Sequence, residues 1–96
     1  MAILIDEPRW RRSDDARFAH LVSDTSFEEL HAFVAALTLV RALRFHRDHY
    51  DVPAACWQRA VDAGAGVVPT REIVQRLVAA GLRATSARSA LPRPGG

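Results

Sequence analysis

The sequence predicts a small α/β domain of two or three layers, with three helices on a short, mostly parallel four-stranded sheet. Three observations carry that prediction. Short apolar runs alternate with amphipathic stretches, and strand–helix alternation favours a parallel sheet with right-handed crossovers. Ninety-six residues suffice for one domain, whose single modest core buries ~60–65% of the unfolded surface. A hydrophobic fraction of 49% with mean hydropathy near zero is that of an ordinary globular chain.

Residues 2–5, Ala-Ile-Leu-Ile, form the first strand, stopped by Asp6, Glu7 and Pro8. Residues 8–17 have no periodicity and read as a loop; 18–22, Phe-Ala-His-Leu-Val, form the second strand. With no helix between these two, the second strand's direction is open, and an antiparallel edge fits equally. Ser26 and Glu29 make a capping box for the first helix, whose apolar stripe is Leu30, Phe33, Val34 and Leu37. Residues 38–42 either extend that helix or begin a loop. Leu43–His46 is a third strand, and 47–52 is a loop beyond its end. Pro53 suits the first turn of a second helix, with Trp57, Ala60 and Val61 on its apolar face and Gly64 as its stop. Gly66–Pro69 is the fourth strand. Thr70 caps a third helix whose buried face is Ile73, Val74, Leu77 and Val78, ending at Gly81. Residues 1–83 are thus one domain. Residues 84–96, rich in Ser, Ala, Arg, Pro and Gly, read as a disordered tail.

The pI of about 9.5 suggests nucleic acid, but the charge is divided unevenly. The first 75 residues carry 9 Arg against 11 acids, while the rest add Arg76, Arg83, Arg88 and Arg93 and no acid. The basicity therefore belongs to the C-terminal end. Arg9-Trp10-Arg11-Arg12 could stack on a single strand, but Asp14 and Asp15 cancel much of its charge. Cys56 is the lone cysteine, which suits a reducing compartment. The N-terminal apolar run is too short for a secretory signal, and no run approaches the ~20 residues of a membrane span. The expectation is a cytoplasmic protein without a membrane partner.

Chemistry concentrates in residues 44–53, Arg-Phe-His-Arg-Asp-His-Tyr-Asp-Val-Pro. Loops leaving the carboxyl ends of parallel strands share one rim, where ligands bind. Asp6 and Glu7 follow the first strand, Ser23 and Asp24 the second, His49 and Asp51 the third, and Thr70, Arg71 and Glu72 the fourth. Helices starting at Ser26, Pro53 and Thr70 would open toward the same rim. Asp6, Asp24, His49 and Asp51 are therefore candidate catalytic residues, with His20, Arg47, Tyr50 and Arg71 as accompanying polar groups. His46, His49 and Asp51 have the types and spacing of metal ligands, with Asp6 or Asp24 completing the sphere. Imidazole with carboxylate suits zinc, manganese or iron, and such a cation activates water for hydrolysis. In an extended segment, however, His46 faces away from His49 and Asp51. A structural role fits the same residues: Asp51 capping the second helix, His49 bonding a neighbouring carboxylate or carbonyl, and Asp48 paired with Arg47. His20 suits a hydrogen-bonded core histidine, and Trp57 a core or dimer contact.

Several separated motifs, in order, resemble one family. They are Met-Ala-Ile-Leu-Ile-Asp at the start, His20-Leu21-Val22-Ser23-Asp24-Thr25, Glu28-Glu29-Leu30-His31-Ala32-Phe33 and Phe45-His46-Arg47-Asp48-His49-Tyr50-Asp51-Val52. Ala63-Gly64-Ala65, Val68 and Thr70-Arg71-Glu72 continue the likeness, which covers about residues 2–83. This pattern resembles the small bacterial and phage family catalogued as domain of unknown function 4031. Phe18 and Ala19 stand where that family tends to have Trp and Ser, Thr38 where a Gly closes the first helix, and Gly66 is an insertion. The resemblance implies a bacterial or phage cytosolic protein and transfers no activity. Two readings follow. One is an enzyme with a polar ligand or divalent metal at the rim. The other is a non-catalytic module that binds nucleic acid or a partner protein.

Overall fold

A computed structural model describes residues 2–11, 17–37 and 43–83, with the backbone alone at residues 10 and 11. Residues 38–42, where either a helix extension or a loop was expected, and 84–96, where a tail was expected, lie outside the described residues. Among the described residues, six strands and three helices follow the order β1 (Ile3–Ile5), β2 (Trp10–Arg11), β3 (Arg17–Ser23), α1 (Phe27–Ala36), β4 (Arg44–His46), β5 (His49–Pro53), α2 (Ala54–Asp62), β6 (Gly66–Val67) and α3 (Thr70–Ala79). All strands join one sheet, five of them in the order β4-β5-β3-β1-β6, with β2 against β3.

The α/β class and the three helices match the expectation, but the sheet is mixed and mostly antiparallel. Only β1 and β6 pair in parallel; β1–β3, β2–β3, β3–β5 and β4–β5 are antiparallel. The reason lies in residues 47–52, expected as a loop. Most of them form β5, which turns back along β4 and inserts between β4 and β3. The crossover through α1 does return the chain in the direction of β3, but into β4, which is not β3's neighbour. Crossover handedness constrains direction, not adjacency. Part of the expected loop at 8–17 is likewise the two-residue strand β2.

Alternating side chains give the sheet two covered faces. Ile5, Ala19, Leu21, Tyr50 and Val52 meet α1 and α2 through Leu30, Val34 and Ala60. Leu4 and Val22 meet α3 through Ile73 and Leu77 on the other face. The domain therefore has three layers. Each fully buried aliphatic side chain contributes ~1.5–3 kcal/mol relative to exposure, so α3 is held by few residues.

The caps agree with the sequence in part. Ser26 is the N-cap of α1, and its hydroxyl accepts from the Glu29 N–H at 3.1 Å. Glu29 does not complete the box; its carboxylate takes the Ser23 hydroxyl, while Ser23 Oγ accepts from the Ser26 N–H. The N-cap of α3 is Pro69 rather than Thr70, whose hydroxyl is engaged elsewhere. Gly64, at φ +120°, follows the C-cap of α2 in a backbone conformation that other residues rarely adopt.

Candidate metal centre

Strand direction decides which polar groups meet. Strands β1, β5 and β6 end at one rim, and β3 and β4 at the other. A single rim collecting every strand exit does not exist here. Asp24, past the end of β3, lies beside the start of β1: its Oδ1 accepts from the Ala2 N–H at 2.8 Å and its Oδ2 from Arg76 at 2.9 Å. Asp6 lies past the other end of β1. The start of α1 sits with Asp24, and the starts of α2 and α3 with the opposite rim.

The polar residues gather instead on the sheet face beside α3. His20 on β3 and Asp51 on β5 are register partners, so both side chains leave the same face. His49, two residues before Asp51, joins them. Among the described residues, His20, His49 and Asp51 each offer a ligand atom, and the three atoms lie within 4.8 Å of one another. All three are partly buried. The rings of His20 and His49 meet edge to face with centroids 5.0 Å apart. Asp51 thus lies within β5 and does not cap α2, whose N-cap is Pro53.

Each histidine is anchored through Nδ1 to a buried carboxylate. Asp6 is 1% exposed; its Oδ2 lies 2.8 Å from His20 Nδ1 and accepts from the Thr70 hydroxyl at 2.6 Å. Its Oδ1 accepts from the His20 N–H at 2.6 Å, and its carbonyl from the Trp57 indole at 2.8 Å. Asp48 is 5% exposed; its Oδ1 lies 2.9 Å from His49 Nδ1. Arg83 grips both Asp48 oxygens, with Nε at 2.7 Å and Nη2 at 2.8 Å. The expected Asp48–Arg47 pair gives way to Arg83, 35 residues further on. Burial alone would raise the Asp6 carboxyl, but hydrogen bonds from His20 and Thr70 outweigh it and hold it below its ordinary value of 3.8. Burial likewise opposes ionisation of Asp48, and hydrogen bonds from Arg83 and His49 overcome it. The arrangement is therefore two imidazoles, each held by an anion, facing a third carboxylate. His49 Nε2 is 3.2 Å from Asp51 Oδ1.

The remaining residues divide. His46 was expected to face away, yet it is the register partner of His49, and their rings lie 5.6 Å apart. The hairpin turn restores a common side. His46 stands beside the group of three rather than in it. Tyr50 leaves the opposite face, where His31 Nδ1 lies 2.8 Å from its hydroxyl. Arg47 is at the hairpin tip, with φ +61°. Arg71 lines a cleft of about 440 Å³ with Asp6, Glu7, Arg9 and Thr70. Sequence reasoning paired Asp48 with Arg47 and did not single out Arg83 or the Asp6–His20 pair, because these partners depend on strand register and on where α3 ends.

The family described as protein of unknown function, DUF4031, matches residues 3–80. The chain belongs to the DUF4031 family. No curated protein and no solved structure matches it. The DUF4031 match spans His20, His49 and Asp51 with both anchoring carboxylates, and it stops short of Arg83. Among the described residues of this DUF4031 chain, no helix is long and apolar enough to cross a membrane.

Proposed function

We propose that His20, His49 and Asp51 bind a divalent transition metal that activates water for hydrolysis of a polar substrate. One observation supports this above all: three ligand atoms lie within 4.8 Å, and both imidazoles carry a carboxylate on Nδ1. Metal-binding histidines characteristically donate their second N–H to a carboxylate or carbonyl, which fixes the tautomer and raises ligand basicity. With Nδ1 engaged, each ring would bind through Nε2. His49 Nε2 and Asp51 Oδ1, 3.2 Å apart, are close enough for one ion to reach both. Tetrahedral ligands ~2.0–2.1 Å from zinc stand ~3.3 Å apart, so the His49–Asp51 pair already has that spacing and only His20 would need to close up. Two histidines and one carboxylate suit zinc, iron or manganese and leave coordination positions for water. A bound zinc ion lowers the pKa of its water to ~7, making hydroxide accessible near neutrality. Asp6, which anchors His20, also lines the cleft of about 440 Å³, whereas none of the three proposed ligands does.

The test is metal content and thermal stability of purified protein with Zn, Mn or Fe(II). One ion per chain is expected, with stabilisation of ~2.7 kcal/mol when free metal is 100 times Kd. His20→Ala and Asp51→Asn should remain folded by circular dichroism and lose the ion. Hydrolysis of nitrophenyl phosphate or carboxylate esters should follow metal occupancy. Wild-type protein that neither retains metal nor gains stability from it would end this reading.

A further inference from the structure

The two anchoring carboxylates are held from the start of one helix and from the segment just past its end. Thr70, the first residue of α3, donates to Asp6, which orients His20. Arg83, four residues past the end of α3, clamps Asp48, which orients His49. Two hydrogen-bonded chains thus leave the two ends of α3 and converge on the same group of ligands. Neither Thr70 nor Arg83 belongs to that group. Each bonds a carboxylate oxygen that its histidine also uses, so each fixes the carboxylate rather than competing for the ring.

We infer that Thr70 and Arg83 are positioning residues of the metal centre, so that docking of α3 and metal binding are coupled. This rests on the metal reading above and deepens it. The physics is linkage: if docked α3 preorganises both imidazoles, metal binds the docked state more tightly, and bound metal holds α3 down by the same factor. The pairs suit that task. Arg83 makes a bidentate contact, whose planar fork fixes the carboxylate's rotation as well as its place. The Thr70 hydroxyl contributes a donor that a methyl group of equal size cannot replace.

The experiment is Co(II) titration of wild type, Thr70→Val, Thr70→Ser, Arg83→Gln and Arg83→Lys, read by visible absorption. Amide exchange of α3 is measured with and without Co(II). Direct partners of metal-binding histidines are worth about 10–100-fold in affinity, and Thr70 and Arg83 act one bond further out, so Thr70→Val and Arg83→Gln should each weaken Co(II) by about the lower figure, ~10-fold, and alter its spectrum. Thr70→Ser should restore both, and Arg83→Lys should fall between, lacking the fork. Co(II) should slow amide exchange in α3 of the wild type, and less so in Thr70→Val. Wild-type affinity and spectrum in folded Thr70→Val and Arg83→Gln would overturn the inference and leave the metal site standing. Absence of Co(II) binding by the wild type would overturn both.

Discussion

Asp6 is a short side chain with unusually many duties. Its carboxylate takes a main-chain N–H, an imidazole and a hydroxyl, while its carbonyl takes the Trp57 indole. Asp6→Asn keeps the shape but turns an acceptor oxygen into an NH2 that faces donors. A loss of ~1–3 kcal/mol is expected, measured as a lowered urea midpoint near neutral pH. Acid should act through the same groups. Asp6, Asp24 and Asp48 are all held below the ordinary value of 3.8, for Asp24 because the Ala2 N–H, Thr25 and Arg76 outweigh its burial. As pH falls, the unfolded chain takes up protons first. Their stabilisation is complete above about pH 4 to 5 and is lost as pH drops through the folded values. The urea midpoint should therefore fall steeply below about pH 4, and less steeply in Asp6→Asn. The identities of these acids were legible in the sequence, and their partners were not. Asp48 has Arg47 beside it in the chain, yet bonds Arg83. A neighbour in sequence competes poorly when the backbone turns its side chain away.

The β4–β5 hairpin shows how a small turn controls a site. Arg47 has φ +61°, and the Asp48 N–H donates to the His46 carbonyl at 2.7 Å, closing a three-residue turn. A residue with a Cβ loses ~1–2 kcal/mol in the left-handed region. Arg47→Gly is expected to raise the urea midpoint by the equivalent of ~0.5–1 kcal/mol, and the β-branched Arg47→Val to lower it by ~1–2 kcal/mol. Circular dichroism on urea titration decides both. The same turn explains why the ligand group was only half visible. His49 and Asp51 share a side by simple alternation, which the sequence displays. His46 joins that side only because a tight reversal follows it, and no Asn-Gly or Gly-Gly signal marks that reversal. His20 enters through the β3–β5 register, which side-chain spacing along either strand does not encode. The helices were legible because capping and apolar stripes are local. α1 begins at Ser26 as its capping residues require, and α3 buries Ile73 and Leu77 from its expected stripe.

Across the whole domain, α3 reaches the candidate centre only indirectly, through Thr70 at its start on Asp6 and Arg83 just past its end on Asp48. α3 rests on Leu4 and Val22 through Ile73 and Leu77. Leu77→Ala should cost ~2–5 kcal/mol, as buried leucines do when a cavity is left behind. Beyond that loss, it should weaken metal binding although no ligand has changed, and calorimetric titration of the folded variant would show it. Unchanged affinity would mean that the two histidines hold their places without α3. The overall class was legible because alternation of strands and helices is a property of the chain. Strand adjacency was not, because β5 takes the place beside β3 that a simple crossover would have given β4. The placement of β1 has one more effect. It lies between β3 and β6, and its parallel partner is Gly66–Val67, near the far end of the fold. During synthesis, one side of this first strand has no native partner until almost the whole domain has left the ribosome. A nascent or truncated chain ending before Gly66 would present Leu4 and Ile5 on an open edge, a template for a neighbouring chain. Completing the last short strand is what closes it.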